Sequence, residues 1–255
     1  MSHFPYRLTG PIGSAATLGL IALQVDETIE QDFRRLFPGR DVALYVNRIP
    51  SGAELTPDSI AQMGRDLPTA AALLPQAAKF DAVAYGCTSG TTLIGVDRVR
   101  DLVQGAVQTR HVAQPLTATL TAFSALEISS IGLVSPYIDS VSGPMQKTFE
   151  AAGYRVPAMV SFGEEVEANV ARIDPASIHA AALEVGKNPE IETVFLSCTN
   201  LRTLDIIEDL EQRLGKPVVS SNQALAWHMA HLSGAPLAVD APGVLFQKPL
   251  PENPS

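Results

Sequence analysis

Short apolar runs without polar alternation recur along this chain, and each is followed by a stretch with helical spacing. Thr17–Leu23, Val42–Val46, Phe80–Tyr85, Ile128–Val134, Val156–Val160, Glu192–Leu196 and Val218–Val219 are such runs. Between them lie helical patterns, such as Ile60, Met63, Leu67 and Ala71, or Leu204, Ile207, Leu210 and Leu214. A strand that is apolar on both faces has to be covered on both, which is the situation of a parallel sheet flanked by helices. The alternation therefore predicts an α/β fold. Its rhythm repeats, because each half opens on a Gly-Leu strand (Leu18-Gly19-Leu20-Ile21 and Ile131-Gly132-Leu133-Val134). We expect two similar parallel-sheet, flavodoxin-like domains related by a pseudo-twofold axis. Residues 1–115 plus 219–255 would form the first and 116–218 the second. Helices are expected over Glu27–Leu36, from Pro57 to about Leu74, over Ile94–Val107 and over Asn222–Leu232. The proline-rich tail after Pro242 is expected to be loosely ordered.

Each half also reaches an apolar strand that stops at a cysteine. The first is Val83-Ala84-Tyr85-Gly86-Cys87-Thr88-Ser89-Gly90-Thr91-Thr92; the second is Val194-Phe195-Leu196-Ser197-Cys198-Thr199-Asn200. Ligands of parallel sheets bind beyond the carboxyl ends of the strands, so two such ends facing each other would place both thiols in one cleft. Backbone N–H groups at the start of the following helix favour negative charge there, on a thiolate or on a bound carboxylate. Thr88, Ser89, Thr199 and Asn200 add side-chain donors.

Two thiols on opposite faces of a substrate suit proton transfer at a carbon next to a carboxylate, one removing the proton and the other returning it. The same pair suits a covalent route, in which one thiolate adds to an activated double bond and leaves after rotation. A third reading is a small-carboxylate binding protein whose thiols only line a pocket. A lone cysteine is by default a small core residue; the matched pair is what assigns chemistry here.

With two cysteines, no disulfide framework is available, and a reducing compartment with free thiols is expected. A net charge of −9 argues against nucleic acid or an anionic membrane as partner. No apolar run has the length of a membrane span, the first run reads as a strand and not as a signal peptide, and the cytoplasm is the expected location. No phosphate loop or dinucleotide fingerprint is present, His228 and His231 lack a third metal ligand, and neither a metal nor another cofactor is expected. The expected partner is a small carboxylate substrate; homo-oligomerisation is left open.

Gly86-Cys87-Thr88-Ser89-Gly90-Thr91, Ser197-Cys198-Thr199-Asn200 and the strand–turn Leu18-Gly19-Leu20-Ile21 resemble the aspartate/glutamate racemase superfamily. Within it the chain is similar to the branch holding maleate cis–trans isomerases, arylmalonate decarboxylases and the ectoine-utilisation protein A. The resemblance runs from about residue 16 to 235 and implies a cofactor-independent racemase or isomerase, with Cys87 and Cys198 as its acid/base pair. Maleate isomerases carry an Asn in the first turn where this chain has Asp26, and amino-acid racemases carry an Asp. Asp26 is therefore expected to bind substrate and to favour an amino-bearing one; a dicarboxylate is the alternative. Decarboxylases lack the first cysteine, so Cys87 argues against simple decarboxylation. Tyr137, in Ser135-Pro136-Tyr137, resembles the tyrosine that reaches the substrate in maleate isomerases. The family's second substrate-binding Asn has no clean match: Glu167 falls near it, and Asn169 lies two residues on. Asn222 reads as the cap of the last helix.

Overall fold

The computed structural model describes residues 3–54 and 56–251. In the first half, β1 (Ala16–Leu23), α1 (Ile29–Leu36), β2 (Val42–Ile49), α2 (Pro57–Ala72), β3 (Phe80–Gly86), α3 (Thr88–Ile94), α4 (Val96–Gln104) and β4 (Thr109–Ala113) follow one another. The second half comprises α5 (Pro115–Ala125), β5 (Ser130–Tyr137), α6 (Asp139–Ala151), β6 (Arg155–Glu164), α7 (Glu167–Val170), α8 (Pro175–Gly186), β7 (Thr193–Leu196), α9 (Ile207–Leu214), β8 (Val218–Ser220) and α10 (Ser221–Ser233). The strands form two four-stranded parallel sheets of orders β2-β1-β3-β4 and β6-β5-β7-β8. The strand order of the first sheet is thus repeated in the second, and the expected α/β class with two parallel sheets is correct.

The central strands are almost wholly buried, β1 and β5 at every residue, which is why they read as apolar runs. Phe123, Phe149 and Phe195 pack with ring centroids 5.4–5.9 Å apart in the second half's core. α10 lies against α5, β3, β4 and α1.

Four local expectations need correction. The single helix expected over Ile94–Val107 is two, α3 and α4. Gly95 separates them at φ +94°, a backbone state that glycine adopts without a side-chain clash. β4 was not foreseen: it is an edge strand pairing only with β3, and its Arg110 and His111 are exposed, so no apolar run marks it. The cap of α10 is Ser220, in a capping box with Gln223, and not Asn222. Of the tail, residues 252–255 lie outside the described residues. The rest is anchored: Val244–Gln247 forms a 3-10 turn with Leu245 buried, and the Lys248 carbonyl accepts from the Trp227 indole at 2.9 Å. Among the described residues, no helix is long and apolar enough to cross a membrane.

α10 also buries His228, whose Nδ1 has no hydrogen-bond partner among the described residues. Burial lowers its pKa to about 4, and His231 and His111 push the same way. The unfolded chain then takes up this proton near pH 6.5 while the folded chain refuses it until about pH 4. Stability from neutral His228 is complete above pH 6.5 and is lost as the pH falls below it, by about 2–3 kcal/mol at pH 4.5. His228→Gln should therefore lose less stability than the parent between pH 7 and pH 4.5, read from urea midpoints. Comparing the two proteins isolates His228, because the buried carboxyls of Asp26, Asp32 and Glu167 have raised pKa values and titrate with the opposite sign.

Candidate active site

The carboxyl ends of β1, β3 and β7 converge. Cys87 follows β3 directly and caps α3: the Gly90 N–H donates to its Sγ at 3.1 Å, and Ser89 Oγ lies 3.7 Å away. This close fit needs a glycine at 90, since a Cβ there would sit 2.6 Å from the Tyr85 hydroxyl and 2.8 Å from Cys87 Sγ. Cys198 lies two residues beyond β7. Its Sγ is 2.8 Å from the Tyr137 hydroxyl and receives the Asn200 N–H at 3.3 Å. Both thiols are free and buried.

Hydrogen bonds sew the halves together around them. Thr199 donates its hydroxyl to Asp26 Oδ2 (2.8 Å) and to the Gly86 carbonyl (3.3 Å). Asn200 Oδ1 accepts from the Glu27 N–H at 2.8 Å, and its carbonyl accepts from the Thr28 hydroxyl at 2.9 Å. Thr88 Oγ1 reaches Ser221 Oγ at 3.0 Å. Asn222 Nδ2 bridges Asp32 Oδ2 (2.7 Å) and the Thr199 carbonyl (2.8 Å).

The residues singled out in the sequence occupy distinct places in this cluster. Cys87, Ser89, Tyr137 and Cys198 form the two thiol environments. Thr199 and Asn200 cross between the halves. Thr88 donates to Ser221. Asp26 is fully engaged: Oδ1 accepts the N–H groups of Thr28 and Ile29, each at 2.8 Å, and Oδ2 holds Thr199. Asn169 is exposed and faces Glu164, whereas Glu167 is buried, its Oε2 3.4 Å from Asn200 Nδ2. Tyr85 joins the cluster unannounced, its hydroxyl beside Cys87 and 3.7 Å from Met63 Sδ. The signal for it was present, because residues two apart on a strand share a face and Tyr85 precedes Cys87 by two.

Burial dominates the electrostatics. It pushes Cys87 up to about 12, against the pull of the Gly90 N–H and Ser89. Cys198 is driven well above the usual thiol range, first by burial and then by the Glu167 charge. Asp26 rises to about 6 through burial, opposed by its two backbone donors. With no ligand both thiols are therefore neutral. The enclosed, donor-rich cluster can deliver a proton from either sulfur and can hold charge that appears on a bound molecule.

The sequence pattern of the arylmalonate decarboxylase family matches residues 53–246. The chain belongs to this family. Arylmalonate decarboxylase of Bordetella bronchiseptica is 35% identical over 120 residues, a match covering 46% of this chain and half the length of that relative. Maleate isomerase of Nocardia farcinica is 22% identical over 241 residues, covering 91% of this chain and 95% of that one. The fold agrees with a solved structure of the Nocardia farcinica maleate cis–trans isomerase, a mutant with a covalently bound succinylcysteine intermediate. Its TM-score is 0.79 at 21% identity, over 91% of this chain and 98% of that chain. The maleate isomerase and arylmalonate decarboxylase branch expected from the cysteine motifs is thus the right one.

Proposed function

We propose that this family member is a cofactor-independent isomerase of a small carboxylate, with Cys87 and Cys198 as its reacting groups. The observation that carries the reading is that each buried sulfur is held by one backbone N–H and one hydroxyl, and that Cys87 alone of the two caps a helix. Cys87 sits at a helix start, where the Gly90 N–H and Ser89 favour a thiolate. Cys198 is held against the Tyr137 hydroxyl at 2.8 Å, a setting suited to giving and retaking a proton. A nucleophile on one side and an acid on the other suit cis–trans isomerisation. Cys87, having released its proton to water, forms a C–S bond to one alkene carbon. The π pair moves to the neighbouring carbon and takes the Cys198 proton. After rotation about the new single bond, the Cys198 thiolate removes that proton and the C–S bond breaks. The succinylcysteine held by the Nocardia farcinica enzyme supports this order of events. Thr88, Ser89, Thr199 and Asn200 line or brace the cleft, and Asp26 holds Thr199 in place.

A second reading, racemisation by proton transfer alone, is favoured by the matched strand–Cys-Thr ends of β3 and β7. Proton magnetic resonance in D2O separates the two. With maleate, we expect fumarate free of deuterium, since Cys198 removes the proton it delivered. Unchanged maleate together with deuterium uptake at the α-carbon of an amino acid such as aspartate would overturn the isomerase reading in favour of the racemase.

A further inference from the structure

Glu167 is 2% exposed, yet among the described residues its Oε1 has no hydrogen-bond partner within reach; the Tyr137 hydroxyl, near enough to favour the carboxylate, is held against Cys198 at 2.8 Å. The other oxygen, Oε2, accepts from Asn200 Nδ2 at 3.4 Å, and the same amide donates to the Glu167 carbonyl at 3.2 Å. The titratable groups around the carboxyl are Asp26 from the turn after β1, Cys87 at the start of α3, Tyr137 at the end of β5 and Cys198 after β7. Every one of these carries negative charge when it ionises, and among the described residues no cation acts on the carboxyl. Arg172, further along the same stretch, is exposed and paired with Glu27. Exposed Glu54 and half-buried Glu164 flank Glu167 and add no positive charge.

A buried carboxylate without a counter-ion is costly, and a neutral acid avoids that cost. Because Oε2 accepts from an amide, the proton of the acid belongs on Oε1. Oε1–H is then a buried donor with no acceptor, and a bound molecule has to supply one. We propose that Glu167 binds substrate as a neutral carboxylic acid, donating from Oε1 to an oxygen acceptor of the ligand, so that binding above neutral pH takes up a proton. This rests on the reading of the cleft as a carboxylate site and narrows it. The ligand carries a second oxygen acceptor, as a dicarboxylate does, in place of an ammonium group. Asp26 makes no competing claim for a cation, since three donors already satisfy it. Burial raises the Glu167 pKa to about 7, in keeping with the donor role.

Succinate is the probe, because it is saturated and is not isomerised. Titration calorimetry at pH 8, in two buffers of different ionisation heat, should show close to one proton taken up per succinate bound. Glu167→Gln, which keeps the contact to Asn200, should take up none. The parent's affinity should fall about tenfold for each pH unit above neutrality while the variant's stays level. Without any ligand, the infrared difference spectrum of parent minus Glu167→Gln at pH 6 should show a carboxylic-acid band, the bands of the other buried carboxyls, Asp26 and Asp32, cancelling in the difference. The proposal is overturned if the difference spectrum shows no such band, if uptake persists in the variant, or if succinate fails to bind even at pH 6. Preference for aspartate over succinate without proton uptake overturns it as well. Since succinate is not turned over, failure of the thiol chemistry leaves the proton count standing, and the reverse holds too.

Discussion

Cys87→Ala and Cys198→Ala should each lower turnover by roughly 10³-fold or more while leaving the fold intact. Neither thiol carries stability that alanine would forfeit on a large scale. Each is a small buried side chain whose main partners are a backbone N–H and a hydroxyl, and truncation costs on the order of 1–3 kcal/mol. The chemistry has no substitute. Among the described residues, no hydrogen bond joins either sulfur to a histidine or lysine that could take over the proton. The two variants should also differ from each other. Cys198→Ala leaves the nucleophile but removes the group that takes the proton back, so a covalent adduct at Cys87, its carbanion protonated slowly by water, is expected to build up from maleate, visible as added mass on the intact protein. Cys87→Ala should form none. Full activity in either variant, or an adduct on Cys198 in the Cys87 variant, would show that the division of labour is wrong.

Asp26→Ala should destabilise the protein by about 3 kcal/mol, because two buried backbone N–H groups at the start of α1 lose their acceptor together and the Thr199 hydroxyl keeps only its longer contact to the Gly86 carbonyl. Asp26→Asn should stay within about 1 kcal/mol of the parent at pH 5, since Oδ1 remains for the two N–H groups and Thr199 can turn to accept. Its relative stability should then improve with pH. The folded-state pKa of Asp26 is raised from 3.8 to about 6. The parent therefore loses stability as the pH rises through this interval, by about 3 kcal/mol, and the amide does not. Urea midpoints at pH 5 and pH 8 check this, about 1.4 kcal/mol of the change falling between these two pH values. Michaelis constants for the same two variants check the role. If Asp26 only braces Thr199 and α1, the Asn variant keeps its affinity for substrate. If Asp26 itself receives an ammonium group, affinity collapses in the Asn variant although the fold is sound.

Much of this molecule was legible from residue order. β1, β3 and β5 announce themselves because a strand covered on both faces is apolar throughout, and Cys87 and Cys198 stand out because each ends such a strand in a matching context. β4 was illegible for the complementary reason. An edge strand with Arg110 and His111 in solvent presents no apolar run to recognise. The single helix expected across Gly95 shows the same limit, since a run of helical spacing says little about a break that depends on one backbone angle.

The roles of the carboxylates were harder to read. Asp26, judged by its position in the first turn, looked like a substrate contact; in space its oxygens are occupied by α1 and Thr199. Glu167, which fell only near the position of the expected second Asn, is the carboxyl whose charge acts on both thiols and that has an oxygen to spare. Sequence alone determined the α/β class, the doubled rhythm and the paired cysteines at the strand ends, because periodicity and strand-end chemistry are local properties of the chain. Only the tertiary structure decided which polar groups around those cysteines are already satisfied and which are left open. That depends on hydrogen bonds between residues far apart in sequence, such as Thr199 to Asp26 and Asn200 to Glu167, and no local pattern encodes them.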